Sequence, residues 1–200
     1  MNPALSRPVS VFTEGSPNPN SMKFVLSVEL VPSGLSFDYA TPADALVDGK
    51  ASPLAVGLFG FEFVRRVFIA NNFVTVTKDE QTDWDEVMFE VKLFLKEYLG
   101  EQKPVFAQRT MDANTTKLDM DSETVQKIKA VLDQYIRPAV ETDGGAINFH
   151  SFDEPSGVVK VQLQGSCSGC PSSTLTLKAG IENLLTRLVP EVKTVEAEGV

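Results

Sequence analysis

The chain has 200 residues, 42% of them apolar, with 18 Lys and Arg against 27 Asp and Glu and a formal charge of −9. That is room for one or two domains with real cores, and it offers no basic stripe for nucleic acid or an anionic membrane surface. No apolar run reaches the roughly 18 residues of a membrane span, and the start, MNPALSRPVSVF, has neither a secretory leader's charged-then-apolar order nor a transit peptide's arginines, which predicts a cytoplasmic protein.

The first half runs from about Val9 to Leu99. VSVF and MKFVLSV read as strands around the turn-rich GSPNPNS. SPLAVGLFGF reads as a short helix, with Ser52 as N-cap and Pro53 at its first position. FVRRVFIANNFVTVTK reads as two strands joined at Asn71-Asn72, with Phe73 and Thr75 facing opposite to Val74 and Val76. DWDEVMFEVKLFLKEYLG is the clearest helix of this half. Trp84, Val87, Met88, Val91, Leu95 and Tyr98 fall at helical spacing, and Gly100 is the expected stop. Trp84 on that stripe reads as core, and Asp83, Asp85 and Glu86 suit the helix N-terminus. Residues 101–118 are polar and aperiodic and read as a linker between domains at 1–100 and 119–200.

In the second half, DSETVQKIKAVLDQYIRPAV reads as a helix capped by Asp121 or Ser122. Its expected buried face is Val125, Ile128, Leu132 and Tyr135, and Pro138 should end or kink it. ETDGG is a turn. AINFHSF and VVKVQLQG follow as a hairpin with one buried side, joined by DEPSG. SSTLTLKAGIENLLTRLV is a helix with Leu177, Ile181, Leu184, Leu185 and Leu188 inward. A last strand, about Val192–Glu196, should return parallel to its neighbour. The order is α-β-β-α-β. Both halves are α+β, each a small domain of helices layered on a sheet.

Both cysteines of the chain lie in QLQGSCSGCPSS, as Cys167 and Cys170. The pair sits between a strand end and a helix start, with Pro171 in the first turn. Unpaired backbone donors and the positive end of a helix dipole favour anionic sulfur there. Gly165 and Gly169 let the backbone turn tightly. Zinc sites and iron–sulfur clusters take four ligands, so two thiols supply half a site.

Three readings compete. A thiol–disulfide oxidoreductase also places Cys-x-x-Cys before a helix, but here a hairpin precedes the motif and one short strand follows it. A structural disulfide is disfavoured in a reducing compartment. Structural zinc could recruit His150, yet that residue lies on the strand face opposite Phe149 and reads as an ordinary side chain. A half-site completed by a second copy would supply four thiolates on a two-fold axis. No Ser–His–Asp set or phosphate loop is visible, and with one histidine most hydrolytic chemistry is hard to build. The segment PNPN reads as a turn, with an exposed docking loop as the alternative.

From DGGAINF through GSCSGCPSSTLTLKAGIENLL to VPEVKTVE, with IRPAVETDGG before it, the chain resembles the C-terminal domain of the Nfu (NifU-like) iron–sulfur scaffold proteins. SPNPNSMKFV, SPLAVGLFGFEFVRRVFIANNFVTVTK and Asp83-Trp84 resemble the N-terminal domain often joined to it. The resemblance implies that Cys167 and Cys170 bind a labile cluster, [4Fe–4S] or alternatively [2Fe–2S], shared by two chains. It implies a homodimer when loaded, and cluster transfer to apo-proteins after supply by upstream assembly proteins. The first half has no cysteine and is expected to hold no cluster of its own.

Overall fold

A computed structural model of the chain describes residues 8–32, 34–107, 122–167 and 171–199, with backbone alone for Pro171–Thr174 and Gly199. The fold is α+β. The chain divides into two units, Met1–Gly15 with Pro19–Lys117, and Ser16–Asn18 with Leu118–Val200.

The first unit holds β1 (Val11–Gly15), β2 (Ser21–Leu26), β3 (Ser36–Tyr39), α1 (Pro53–Leu58), β4 (Val64–Ala70), β5 (Phe73–Lys78) and α2 (Trp84–Gly100). Its five strands form an antiparallel sheet in the order β1-β2-β5-β4-β3. Ser52 caps α1 as its sequence demands, its oxygen accepting from the Ala55 N–H. The same hydroxyl donates to the Val105 carbonyl at 2.6 Å. Asn71 takes a φ of 37° and turns β4 into β5. Along α2, Trp84, Val91, Leu95 and Leu99 are buried against the sheet's core face.

Four local readings change. SFDY was not expected as a strand, yet it forms β3, a short edge closed by the paired ionic contact of Asp38 with Arg66 at 2.7 and 2.8 Å. The faces of β5 alternate as expected, but Phe73 and Thr75 are buried as well as Val74 and Val76. Gly100 stays inside α2, and the left-handed residue is Gln102, with φ of 56°. Val105 and Phe106, taken for linker, pack on the first unit's core, with the Phe106 and Phe37 rings 4.5 Å apart.

Trp84 is the one described side chain whose buried polar atom, Nε1, has no hydrogen-bond partner. Leaving a buried donor unmade costs about 1–3 kcal/mol. Trp84→Phe removes that donor with modest volume loss, so stability should stay within about 1 kcal/mol. Trp84→Ala should cost about 3–5 kcal/mol. Urea midpoints followed by circular dichroism check both, and a Phe variant as unstable as the Ala variant would contradict this account.

The second unit begins with α3, which runs as Glu123–Val131, a wide turn at Leu132–Ile136, and Arg137–Thr142. Ser122 caps it, accepting from the Val125 N–H; Asp121, the other candidate, lies outside the described residues. Then come β6 (Gly145–Asp153), β7 (Val158–Gly165), α4 (Pro171–Leu188) and β8 (Thr194–Gly199). β6 pairs antiparallel with β7, and β8 returns parallel to β7. Ile128, Leu132, Ile147, Val161, Leu163, Ile181 and Leu185 make the core between helices and sheet.

Pro138 neither ends α3 nor breaks it. The helix opens into an i-to-i+5 turn just before the proline, which cannot donate and crowds the carbonyl four residues back. Such a turn advances less per residue than the roughly 100° of an α-helix. Ile136 therefore faces the core where Tyr135 was expected, and Tyr135 is exposed. Leu188 is likewise exposed at the end of α4. Val189, just past the helix, turns inward in its place.

Candidate functional site

The site grows from the end of the β6–β7 hairpin. Gly145 opens β6 directly opposite Gly165, the last residue of β7. Gly165 takes a φ of 67° and swings the chain off the strand. Ser166 then fastens the turn. Its N–H donates to the Gly144 carbonyl at 3.3 Å, and its hydroxyl donates to the Asp143 carbonyl. The DGG turn after α3 and the Gly-Ser turn before the cysteines are thus tied to each other.

That tie sets Cys167 in the second unit's core, only 5% exposed. Its sulfur lies against the backbone of Gly145. A Cβ at that glycine would come within 2.8 Å of Cys167 Sγ and 2.7 Å of the Gln164 carbonyl. The two glycines of DGG therefore have different work. Gly144, at φ of 81°, makes the turn, and Gly145 leaves room for the sulfur. Neither the clearance at Gly145 nor the Ser166 clasp was read from the sequence. The signal was there in DGG and GSC, but only pairing of β6 with β7 brings the two together.

Cys170 lies outside the described residues, with Ser168 and Gly169. It immediately precedes α4, which starts at Pro171 and runs 18 residues. The N-terminal end of such a helix carries about half a positive charge and unpaired N–H groups, which suit an anionic ligand. In the second turn of α4, Leu175 is 71% exposed.

His150 sits elsewhere. It is the extra residue in the β6–β7 register, between the pairs Phe149–Val161 and Ser151–Lys160, and it is exposed. At roughly 3.3 Å per strand residue it stands about 16 Å along β6 from Gly145. Among the described residues, no three His, Cys, Asp or Glu side chains come together as a metal site. Nor is any described helix long and apolar enough to cross a membrane.

Comparison with known proteins matches both units. Residues 11–102 fit the family model of the scaffold protein Nfu/NifU N terminal, and residues 128–196 fit the NifU-like domain. A Drosophila willistoni protein named NFU1 iron-sulfur cluster scaffold homolog, mitochondrial, is 42% identical over 190 residues, covering 95% of this chain and 64% of that one. NifU-like protein 4, mitochondrial, of Arabidopsis thaliana is 41% identical over 194 residues, covering 96% of this chain and 67% of its own. This chain thus spans about two thirds of those relatives' length. A solution structure of a NifU-like protein from Saccharomyces cerevisiae aligns with 54% of this chain and 91% of its own, at 24% identity and a TM-score of 0.44. The mitochondrial names overturn the expectation of a cytoplasmic protein. That expectation rests on the short stretch MNPALSRPVSVF, which cannot by itself report a compartment.

Proposed function

This chain belongs to the Nfu family of NifU-like iron–sulfur scaffold proteins, and on that premise we propose that Cys167 and Cys170 from two copies bind one labile cluster and pass it to apo-proteins. The observation that carries the proposal is the setting of Cys167. Its sulfur is fixed against Gly145 by the Ser166 clasp, a few residues before the N-terminus of α4. A thiolate pair in that setting matches half of a four-thiolate cluster. We take the cluster as [4Fe–4S], following the family resemblance; [2Fe–2S] would need the same four thiolates. The cluster is cargo, supplied by upstream assembly proteins, and the protein acts as a carrier and not as a catalyst. Its proposed place of work is the mitochondrion, after its relatives' names.

Two further features support a second copy as the source of the missing ligands. The described residues hold no group of three or more His, Cys, Asp or Glu side chains that could hold a metal by itself. Leu175, one helical turn beyond the thiol pair, is apolar and exposed, and a partner seated on the site would cover it. A junction of this kind opens by parting the subunits, so a client's thiols can replace one half-site at a time. A cluster that binds only the dimer also pulls monomers together by mass action.

Sedimentation with iron and sulfide counts tests the shared site. Cluster-free protein should be monomeric at low concentration, and reconstituted protein dimeric with one cluster per two chains. A monomer carrying a full cluster would overturn the shared site. Leu175→Glu leaves both thiols in place and should weaken the loaded dimer about tenfold or more, the cost of losing a buried leucine. A colourless protein cycling an internal disulfide would favour the oxidoreductase reading instead.

A further inference from the structure

The first unit carries a groove that the cluster site does not use. It has a volume of about 380 Å³, and its two walls are Val9–Phe12 on one side and Phe89, Lys92, Leu93 and Lys96 of α2 on the other. Three of these side chains are apolar and open to solvent: Phe89 is 72% exposed, Phe12 63% and Leu93 43%. Apolar side chains gathered in this way mark an interaction surface more often than an accident of packing.

One wall is the edge of a sheet. β1 pairs only with β2 among the described strands. Its bonding phase follows from the residue before it. The Ser27 N–H donates to the Ser10 carbonyl at 3.0 Å, which turns Ser10, and two residues on Phe12, towards β2. Antiparallel pairing alternates, so the N–H and C=O groups of Val11 and Thr13 point to the open side. An extended chain laid in the groove would meet these backbone groups at two-residue spacing. A helix, whose own backbone groups are bonded internally, could not pair with them as a ladder.

The other wall selects charge. Lys92 and Lys96 lie one turn apart on α2, and neither has a carboxylate partner among the described residues. In a chain of net charge −9 they form a local positive pair beside apolar rings. Such a pair favours an acidic ligand and rejects a basic one.

We propose that this groove binds an extended segment of a client protein, acidic and apolar in alternation, which adds as a sixth strand to the β1 edge. The binding chemistry rests on the groove alone; only the identity of the occupant as a client rests on the carrier reading above. The site lies in the unit without cysteines, so a client would be held by one unit while its own thiols meet the cluster on the other.

The test uses the 200-residue chain with Cys167→Ala, so that failure of the cluster reading leaves it intact. Three blocked decapeptides serve as probes: valine alternating with glutamate around a central phenylalanine, the same sequence with lysine for glutamate, and the acidic one with two valines replaced by proline. Amide hydrogen exchange and NMR titration read the result. The acidic peptide should bind, slowing exchange at Val11 and Thr13 while leaving Phe12 unchanged. The lysine peptide should bind at least about tenfold more weakly, and the proline peptide should not slow exchange. The double variant Lys92→Glu, Lys96→Glu should reverse the preference between acidic and basic peptides. Binding of neither peptide at millimolar concentration would overturn the proposal. So would equal slowing at Phe12, or concentration-dependent protection of Val11 and Thr13 without peptide, which would make a second copy the occupant.

Discussion

Cys167→Ala is expected to bring iron and sulfide to background after anaerobic reconstitution, and Cys170→Ala to do the same. On a two-fold axis each substitution removes two of four thiolates at once, and no cluster survives with half its ligands. The fold should persist. Cys167 packs in the core as a small apolar side chain, and its loss costs about 1 kcal/mol, within the reserve of a domain of this size. His150→Ala should leave iron unchanged, because His150 is exposed on the β6 bulge, far along the strand from Gly145. Iron and sulfide per chain, read beside a circular dichroism spectrum, decide the matter. Near-normal iron in either cysteine variant would overturn the four-thiolate assignment, and a clear loss in His150→Ala would revive His150 as a ligand.

The second large effect belongs to a residue with no functional group. Gly145→Ala should lower cluster uptake several-fold and destabilise the second unit by about 1–3 kcal/mol. The added methyl must share space with Cys167 Sγ at 2.8 Å and the Gln164 carbonyl at 2.7 Å. The carbonyl is held in the β6–β7 ladder, so the sulfur is the softer neighbour and should be displaced. A double variant separates the two contacts. In Gly145→Ala with Cys167→Ala, the clash with sulfur is gone while that with the carbonyl stays. The pair should therefore lose less stability than the sum of the single variants, a coupling that equilibrium unfolding can measure. Simple additivity, or full cluster uptake by Gly145→Ala, would show that the glycine does not position the thiol.

Local chemistry made much of the fold readable. Ser52 with Pro53, the Asn71-Asn72 turn, and the apolar stripe of α2 each act within a few residues, and each is found where sequence predicts it. The misses have causes that neither local propensity nor a fixed helical period registers. β3 is four residues long with Asp38 in its middle, and it exists because β4 offers Arg66 across the pair. Tyr135 and Ile136 exchange places because the wide turn before Pro138 shifts the helical phase, and periodicity counted at 3.6 residues cannot register that. The site divides in the same way. The Cys-x-x-Cys spacing that makes Cys167 and Cys170 candidates is local and visible in the sequence. The Gly145 clearance depends on which residue stands opposite Gly165, and register across a hairpin is not written in either strand alone.

The single tryptophan has a practical consequence. Trp84 lies in the core of the first unit, against the Phe24 ring, and the second unit contains none. Indole fluorescence is thus a signal from one unit only, while visible absorption from a thiolate-bound cluster would be a signal from the other. One sample then carries two separate optical channels. If the units melt independently, emission and visible colour should fade at different temperatures in the same cuvette. If a client bridges them, the two curves should draw together.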